Sequence, residues 1–224
     1  MKRCLVFGAS GSIGREVSAR LHRDGHIVIV CSKGINPTLI GSMMDSVWNV
    51  ADRKEMQNYA DVFKKRDRVD AIVYAVGHCP PNGFAEAIRY PLSQLPLENL
   101  TREINMHQVG VLNVFQLMLE HLNDGGCFVF LSSAITRLKG QFPPFLQAYH
   151  YASAISAEDW LIDGMRFDPT VKQRGIRIHR LAPVAVDTPF FGEHKPPEII
   201  PISRVVDEVV DVLDSQKNVD KQII

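Results

Sequence analysis

The sequence predicts an α/β protein, a single domain built on one doubly wound parallel sheet in three α/β/α layers. Three observations predict it. Short, nearly continuous apolar runs such as Val69 to Val76 alternate with longer segments whose apolar residues recur at helical spacing, as expected of parallel strands covered on both faces. The first run, Cys4 to Phe7, ends at Gly8 and passes into Gly11 and Gly14, three glycines spaced three apart. The irregular, polar-tipped segments follow strands, at the edge where open parallel sheets bind their ligands.

Taken in order, Cys4 to Phe7 is strand one, Arg15 to Arg23 a helix, and Ile27 to Cys31, behind Gly25, strand two. Ser32 to Met44 carries the breakers Gly34, Asn36-Pro37 and Gly41 and is a loop. Ser46 to Val50 is a short third strand, Asp52 opens a polar helix to about Lys65, and Val69 to Val76 is strand four, ended by Gly77. A Pro- and Gly-rich loop runs to Pro96. Leu97 to Leu122 is a long helix with Ile104, Val111, Phe115, Met118 and Leu122 on one face, closed by Asn123-Asp124-Gly125-Gly126. Cys127 to Leu131 is strand five and leads into Ser132-Ser133; a loop from Thr136 to Gln147, a helix from Ala148 to Phe167 and strand six, Gly175 to Leu181, follow. A proline-rich loop from Pro183 to Pro201 precedes a last helix, Ser203 to Leu213, and Lys221 to Ile224 can only begin a seventh strand.

Length and composition bound the rest. A chain of 224 residues that is 46% hydrophobic suits one domain over residues 1–224. Its 25 basic and 25 acidic residues leave no net charge, and no basic stripe points to nucleic acid, so a small-molecule partner is favoured. Cys4, Cys31, Cys79 and Cys127 are far apart, and His78 and His107 have no matched partners, so no metal site is expected and the cysteines read as buried thiols in a reducing setting. Met1-Lys2-Arg3 runs straight into strand one, and no apolar segment reaches the ~20 residues of a membrane span, which reads as cytoplasmic, with no membrane partner.

The glycine turn carries the first chemistry. Gly8 permits a tight turn, Gly11 removes a side chain where a pyrophosphate approaches backbone, and Gly14 lets the next helix sit close to the sheet. The N–H groups of that helix's first turn, with Ser10, Ser12 and Ile13 around them, then face the anion. A strand before and a helix and second strand behind favour a dinucleotide over an empty turn.

With these landmarks in order, the chain resembles the short-chain dehydrogenase/reductase family over nearly its full length. Gly8 to Gly14 matches the cofactor turn, although the family's middle glycine commonly stands at the place of Ser12. The Asn-Asn-Ala-Gly that ends strand four is Tyr74-Ala75-Val76-Gly77 here. Glu103-Ile104-Asn105-Met106 matches the segment carrying a structural and proton-relay asparagine, and Val129 to Ser133 the strand ending in the active-site serine, assigned to Ser133. Pro183 to Pro189 looks like the family's Pro-Gly-x-x-x-Thr segment over the nicotinamide, with valine for glycine. The resemblance implies a Rossmann fold and hydride transfer between a nicotinamide and a carbonyl or alcohol carbon.

The family's catalytic pair, a tyrosine with a lysine four residues on, is broken. Tyr149 is followed at that spacing by Ser153 and Tyr151 by Ile155, and no lysine lies between Lys139 and Lys172. Aligning the helix by Ala152-Ser153 and Trp160 instead puts His150 in the tyrosine place and Ala154 in the lysine place. Ser133 is expected to polarise the carbonyl oxygen, and Tyr149, Tyr151 or His150 to protonate it, with Tyr149 and His150 favoured beside Asn105. Without the lysine's charge a tyrosine near ~10 remains protonated, which serves reduction and hinders oxidation.

Cofactor choice is read at the end of strand two, where NAD users commonly carry an acid. Here Ser32-Lys33 offers a hydroxyl and a cation, with Arg15 nearby, so NADP(H) is expected ahead of NAD(H). Asn49, Val50 and Asp52 stand where the family meets the adenine, and Asp52 is equally a helix cap. Ala75, Gly77, Pro183, Val186 and Thr188 complete the expected cofactor contacts. Phe142, Phe145, Phe190 and Phe191 flank the expected cleft and favour a partly apolar substrate. A homodimer through the Leu97 to Leu122 and Ala148 to Phe167 helices is expected. The alternatives are a cofactor-binding sensor or scaffold without redox activity, and a dehydratase or isomerase using His150.

Overall fold

In the computed structural model, which describes residues 1–32, 44–64, 68–77, 90–137, 148–192, 195–196 and 198–224, seven parallel strands form one sheet in the order β3-β2-β1-β4-β5-β6-β7. The strands are β1 Arg3–Phe7, β2 Ile27–Ser32, β3 Met44–Val47, β4 Val69–Tyr74, β5 Leu122–Leu131, β6 Arg177–Pro183 and β7 Asp220–Ile223. The direction of winding reverses between β1 and β4, the point in such sheets where ligands bind. Alternation along β1 builds two cores. Leu5 and Phe7 pack under α2 (Arg53–Phe63), α4 (Val111–Met118) and α5 (Tyr149–Met165). Cys4 and Val6 pack under α1 (Ser12–Arg23) and α7 (Ile202–Val212). Cys4, Cys31 and Cys127 are buried thiols, as read from the sequence; burial pushes Cys4 up to about 12 and Cys127 up to about 11.

Local features depart from the sequence reading, among them the seventh strand, which is formed and pairs with β6 from Asp220 to Ile223. The long helix expected from Leu97 is α3 (Leu97–Ile104), a π-helical turn Asn105–Gly110, and α4, with β5 already begun at Leu122. Within this turn Tyr74 on β4 donates its hydroxyl to the Met106 carbonyl at 2.6 Å. A Cβ at Gly110 would stand 2.6 Å from the same hydroxyl, so only glycine fits there. β5 takes in Asn123 to Gly126, with a register shift against β4 between Val69 and Ala71 and Asn123 Nδ2 donating to Asp70 at 2.8 Å. β3 ends at Val47, so Trp48 and Asn49 lie beyond the sheet edge. A short helix, α6 (Pro169–Gln173), was not expected; Asp168 accepts from Thr170 N and Val171 N, and Pro169 occupies the first turn.

Candidate functional site

The glycine turn is built by close approach. Gly8 has φ +83°, and a Cβ there would meet the Ala75 carbonyl oxygen at 2.4 Å; a Cβ on Gly14 would meet the Gly8 carbonyl oxygen at 2.3 Å. β1, the β4 exit and α1 therefore touch backbone to backbone. Gly11 caps α1 without a side-chain bond, and no acidic residue occupies its first turn. The first N–H groups, at Ser12, Ile13 and Gly14, are thus left for an anion.

Beside the turn lies a cavity of about 600 Å³. Of the residues expected to contact a cofactor, Gly8, Ser10, Ser32, Asn49 and Val50 line it. Trp48 and Ala51 join them from beyond β3, and α3 supplies Thr101 and Arg102, which sequence reasoning missed because no local motif marks them. Glu55 accepts from Asn49 N at 2.7 Å, while Asp52 accepts from Lys54 N and Glu55 N, so Asp52 is used as the cap of α2. Ala75 and Gly77 stand at the exit of β4, Ala75 against Gly8. Pro183 ends β6; Val186 is buried in the α1/α7 core and bridged to Ile200; and the Thr188 carbonyl accepts from Phe191 N at 3.2 Å. None of these three lines the cavity. Lys33, His78, Cys79, Phe142 and Phe145 lie outside the described residues.

A turn that excludes side chains, a helix start without its own cap and a cavity at the topological switch point fit a nicotinamide dinucleotide. Gly8, Ser10 and the first N–H groups of α1 would hold its phosphates, and Asn49 and Val50 its adenosine end.

The hydroxyl pair stands at the end of β5, and its tyrosine is Tyr151, one of the three candidate donors. Ser133 is half-buried, with Ile135 N donating to its Oγ at 3.3 Å. The tyrosine that the Ser133 hydroxyl acts on is Tyr151, whose pKa it lowers against the effect of burial. Tyr149 is 41% exposed and shares a face of α5 with Trp160, eleven residues on and 80% exposed. Two residues along a helix is a rotation of about 200°, so only one of the two tyrosines can face the sheet. Tyr151 shares the buried face with Ile155, Glu158 and Ile162, a phase that could have been read from the sequence. Tyr149, favoured from the sequence, lies on the exposed face.

His150 is buried toward α3, where burial, Glu103 and Arg102 act on it; burial dominates and lowers its pKa, and its Nδ1 has no partner among the described residues. Asn105 does not meet the hydroxyl pair either: it is exposed and lines the cavity. The residue brought to Tyr151 is His107, ring centroids 5.5 Å apart at 72°. Its Nδ1 is 2.7 Å from Glu158 Oε2, and its Nε2 is 3.5 Å from Glu103 Oε2. Burial opposes the charge on His107, but Glu158 and Glu103 overcome it and hold the pKa up to about 9.

Ile155 takes the place four residues beyond Tyr151. It is fully buried in a small apolar cluster with Ile135 and Ala148, against which Tyr151 and Ala152 pack. Burial raises the Tyr151 pKa most, Glu158, Glu103 and Asp159 raise it further, and the Ser133 bond only partly offsets them. Asp159 itself accepts from Ser132 at 2.7 Å and from Thr136 at 3.3 Å. Among the described residues no group of three or more His, Cys, Asp or Glu side chains could hold a metal, and no helix is long and apolar enough to cross a membrane.

The short chain dehydrogenase family model matches residues 2–198. Among solved structures, a short-chain dehydrogenase/reductase from Serratia marcescens superposes with a TM-score of 0.79 at 20% identity, over 99% of this chain and 96% of that one. A short chain dehydrogenase family protein from Francisella tularensis gives 0.81 at 17% identity over 100% and 97%. The ligand-free aldohexose dehydrogenase of Thermoplasma acidophilum gives 0.78 at 17% over 99% and 92%. A search among curated proteins finds no match.

Proposed function

Because the chain belongs to the short-chain dehydrogenase family, whose members bind a nicotinamide dinucleotide, we propose that it is an NADP(H)-dependent oxidoreductase that reduces a carbonyl group on a small, partly apolar molecule. The observation that carries this reading is the Ser133–Tyr151 hydroxyl pair at the same sheet edge as the glycine turn. Ser133 donates to the carbonyl oxygen and polarises it, and Tyr151 delivers the proton that turns the oxygen into a hydroxyl. A nicotinamide bound at this edge supplies the hydride to carbon. Tyr151, its pKa raised by burial and by neighbouring carboxylates, holds its proton at neutral pH. That makes it a donor for reduction and a weak base for the reverse reaction.

NADP(H) is favoured over NAD(H) because Ser32 ends β2 at the cavity wall without a carboxylate, Arg102 lines the same cavity, and Lys33 and Arg15 add positive charge next to Ser32 and the glycine turn in the sequence. Exposed Trp160 and Tyr149 on α5, with Leu97 and Val109 before α4, support a homodimer through these helices. Three buried thiols suit the reducing cytoplasm.

Ile155 favours a second reading, in which the chain binds NADP(H) and does no redox chemistry. Fluorescence titration with NADPH tests the shared premise, and no binding would sink both. A screen of carbonyl compounds for NADPH oxidation then separates them. Oxidation that falls roughly 10²- to 10⁴-fold in Tyr151→Phe supports the reductase. Binding without oxidation of any compound supports the second reading.

A further inference from the structure

Among the described residues, Glu103, His107 and Glu158 form a group of buried ionisable side chains that the proposed reaction leaves unused. All three residues are almost wholly enclosed, and His107 Nε2, Glu103 Oε2 and Glu158 Oε1 have no hydrogen-bond partner among the described residues. Burying three ionisable groups is costly unless they compensate one another, and here one imidazole stands between two carboxylates. Glu158 follows Tyr151 by seven residues, two turns along one face of α5, while Glu103 and His107 come from α3 and the π-helical turn. The cluster therefore ties the helix that carries Tyr151 to the segment that walls the cavity.

We propose that His107 is a positioning residue: clamped between Glu158 and Glu103, it sets the Tyr151 ring against Ser133. The assignment rests on the role given to Tyr151 above. The 2.7 Å contact from Nδ1 to Glu158 fixes the plane of the imidazole, and the 72° edge contact fixes the Tyr151 ring against it. The π-helical turn is the means of placement. It inserts extra backbone between α3 and α4, and Tyr74 bonds Met106, the residue before His107.

Other charged groups reach the cluster from the elements around it. Asp159 and Arg180 act on Glu158 from α5 and β6, and Glu158 in turn raises Tyr74 on β4. Arg102 and His150 lie on the Glu103 side. Burial raises Glu158 most and the His107 charge opposes it. His107, held up to about 9, is charged at neutral pH.

Nuclear magnetic resonance of the full chain with ¹³C,¹⁵N-histidine and ¹³C-tyrosine tests the assignment without needing a substrate. Tyr151 is assigned by the resonance missing from Tyr151→Phe, and His107 by that missing from His107→Asn. The expected result is a His107 midpoint near 9, a Tyr151 resonance that moves with the same midpoint, and no such movement in His107→Asn. Glu158→Gln, close in shape to the wild type, should drop the midpoint by two or more pH units. A His107 midpoint at or below its ordinary ~6.5, or a Tyr151 resonance indifferent to it, overturns the proposal. If a reducible carbonyl compound is found, kcat should fall through the same midpoint while KM for NADPH stays constant. If none is found, the reductase reading fails while the two resonances still decide the role of His107.

Discussion

The glycine turn after β1 and the hydroxyl pair after β5 occupy one edge of one sheet, yet they are specified in opposite ways. At the turn the backbone makes every decisive contact. Gly8 and Gly14 are required because any Cβ would enter a carbonyl oxygen 2.4 or 2.3 Å away. At the hydroxyl pair nothing is set by backbone alone: Tyr151 is defined by helical phase, by Ser133 and by a histidine from another segment. The first region tolerates no substitution at two points and leaves its surroundings free. The second brings together side chains from separate segments, with isoleucine four residues beyond Tyr151. Steric rules make a site rigid in sequence; electrostatic needs can be met from more than one position.

Breaking the backbone region should have the largest effect. Gly8→Val meets both a positive φ and the Ala75 carbonyl, so NADPH binding should vanish in a fluorescence titration and stability should fall by about 3 kcal/mol or more in urea. Binding at wild-type affinity would show that the turn does not hold the phosphates. Next comes Tyr151→Phe, which should cost roughly 10²- to 10⁴-fold in NADPH oxidation, whereas Tyr149→Phe should stay within about twofold. Equal losses in both would undo the contrast between the buried and exposed faces of α5.

The charge on His107 gives a pH dependence of definite sign. Its folded pKa, about 9, lies above the ordinary 6.5, so its contribution to stability is fully present below about 6.5 and is lost as pH rises through 9. The span corresponds to about 3 kcal/mol. Urea unfolding at mildly acidic and at alkaline pH should show this slope in wild type and lose it in Glu158→Gln. Equal slopes in the two proteins would mean that the pair is not an ion pair. A smaller change should follow at the cofactor end. Ser32→Asp puts a carboxylate on the cavity wall and should raise the ratio of NADH to NADPH affinity about tenfold, or about 1.4 kcal/mol.

The same contrast explains what was legible in the sequence. The turn, the alternation of strands and helices, the buried cysteines and the cavity residues Gly8, Ser10, Ser32, Asn49 and Val50 could be read because each rests on local chemistry or period. The choice between Tyr149 and Tyr151 was legible in principle from Ile155 and Ile162, but the family pattern points to a lysine that neither tyrosine has. The π-helical turn was not legible, because a hydroxyl reaches it from Tyr74, thirty-two residues before Met106. The His107–Glu158 contact spans fifty-one residues, and no motif announces it. Side chains paired across elements become visible only once the elements are in place.

The exposed face of α5 offers the finest test, since it should separate assembly from folding. Trp160 is 80% exposed and in phase with Tyr149, whereas the opposite face holds Tyr151 and the cluster beneath it. Large aromatic side chains left in water on a helix face are candidates for burial against a second copy. Trp160→Glu should therefore convert a dimer to a monomer in sedimentation equilibrium. It should change the unfolding free energy of the isolated chain by no more than about 0.5 kcal/mol and leave NADPH affinity unaltered. A wild-type chain that sediments as a monomer would remove this face from the assembly. A Trp160→Glu variant that unfolds would show that the face is coupled to the packing of Tyr151, and the two sides of α5 would then have to be treated as one unit.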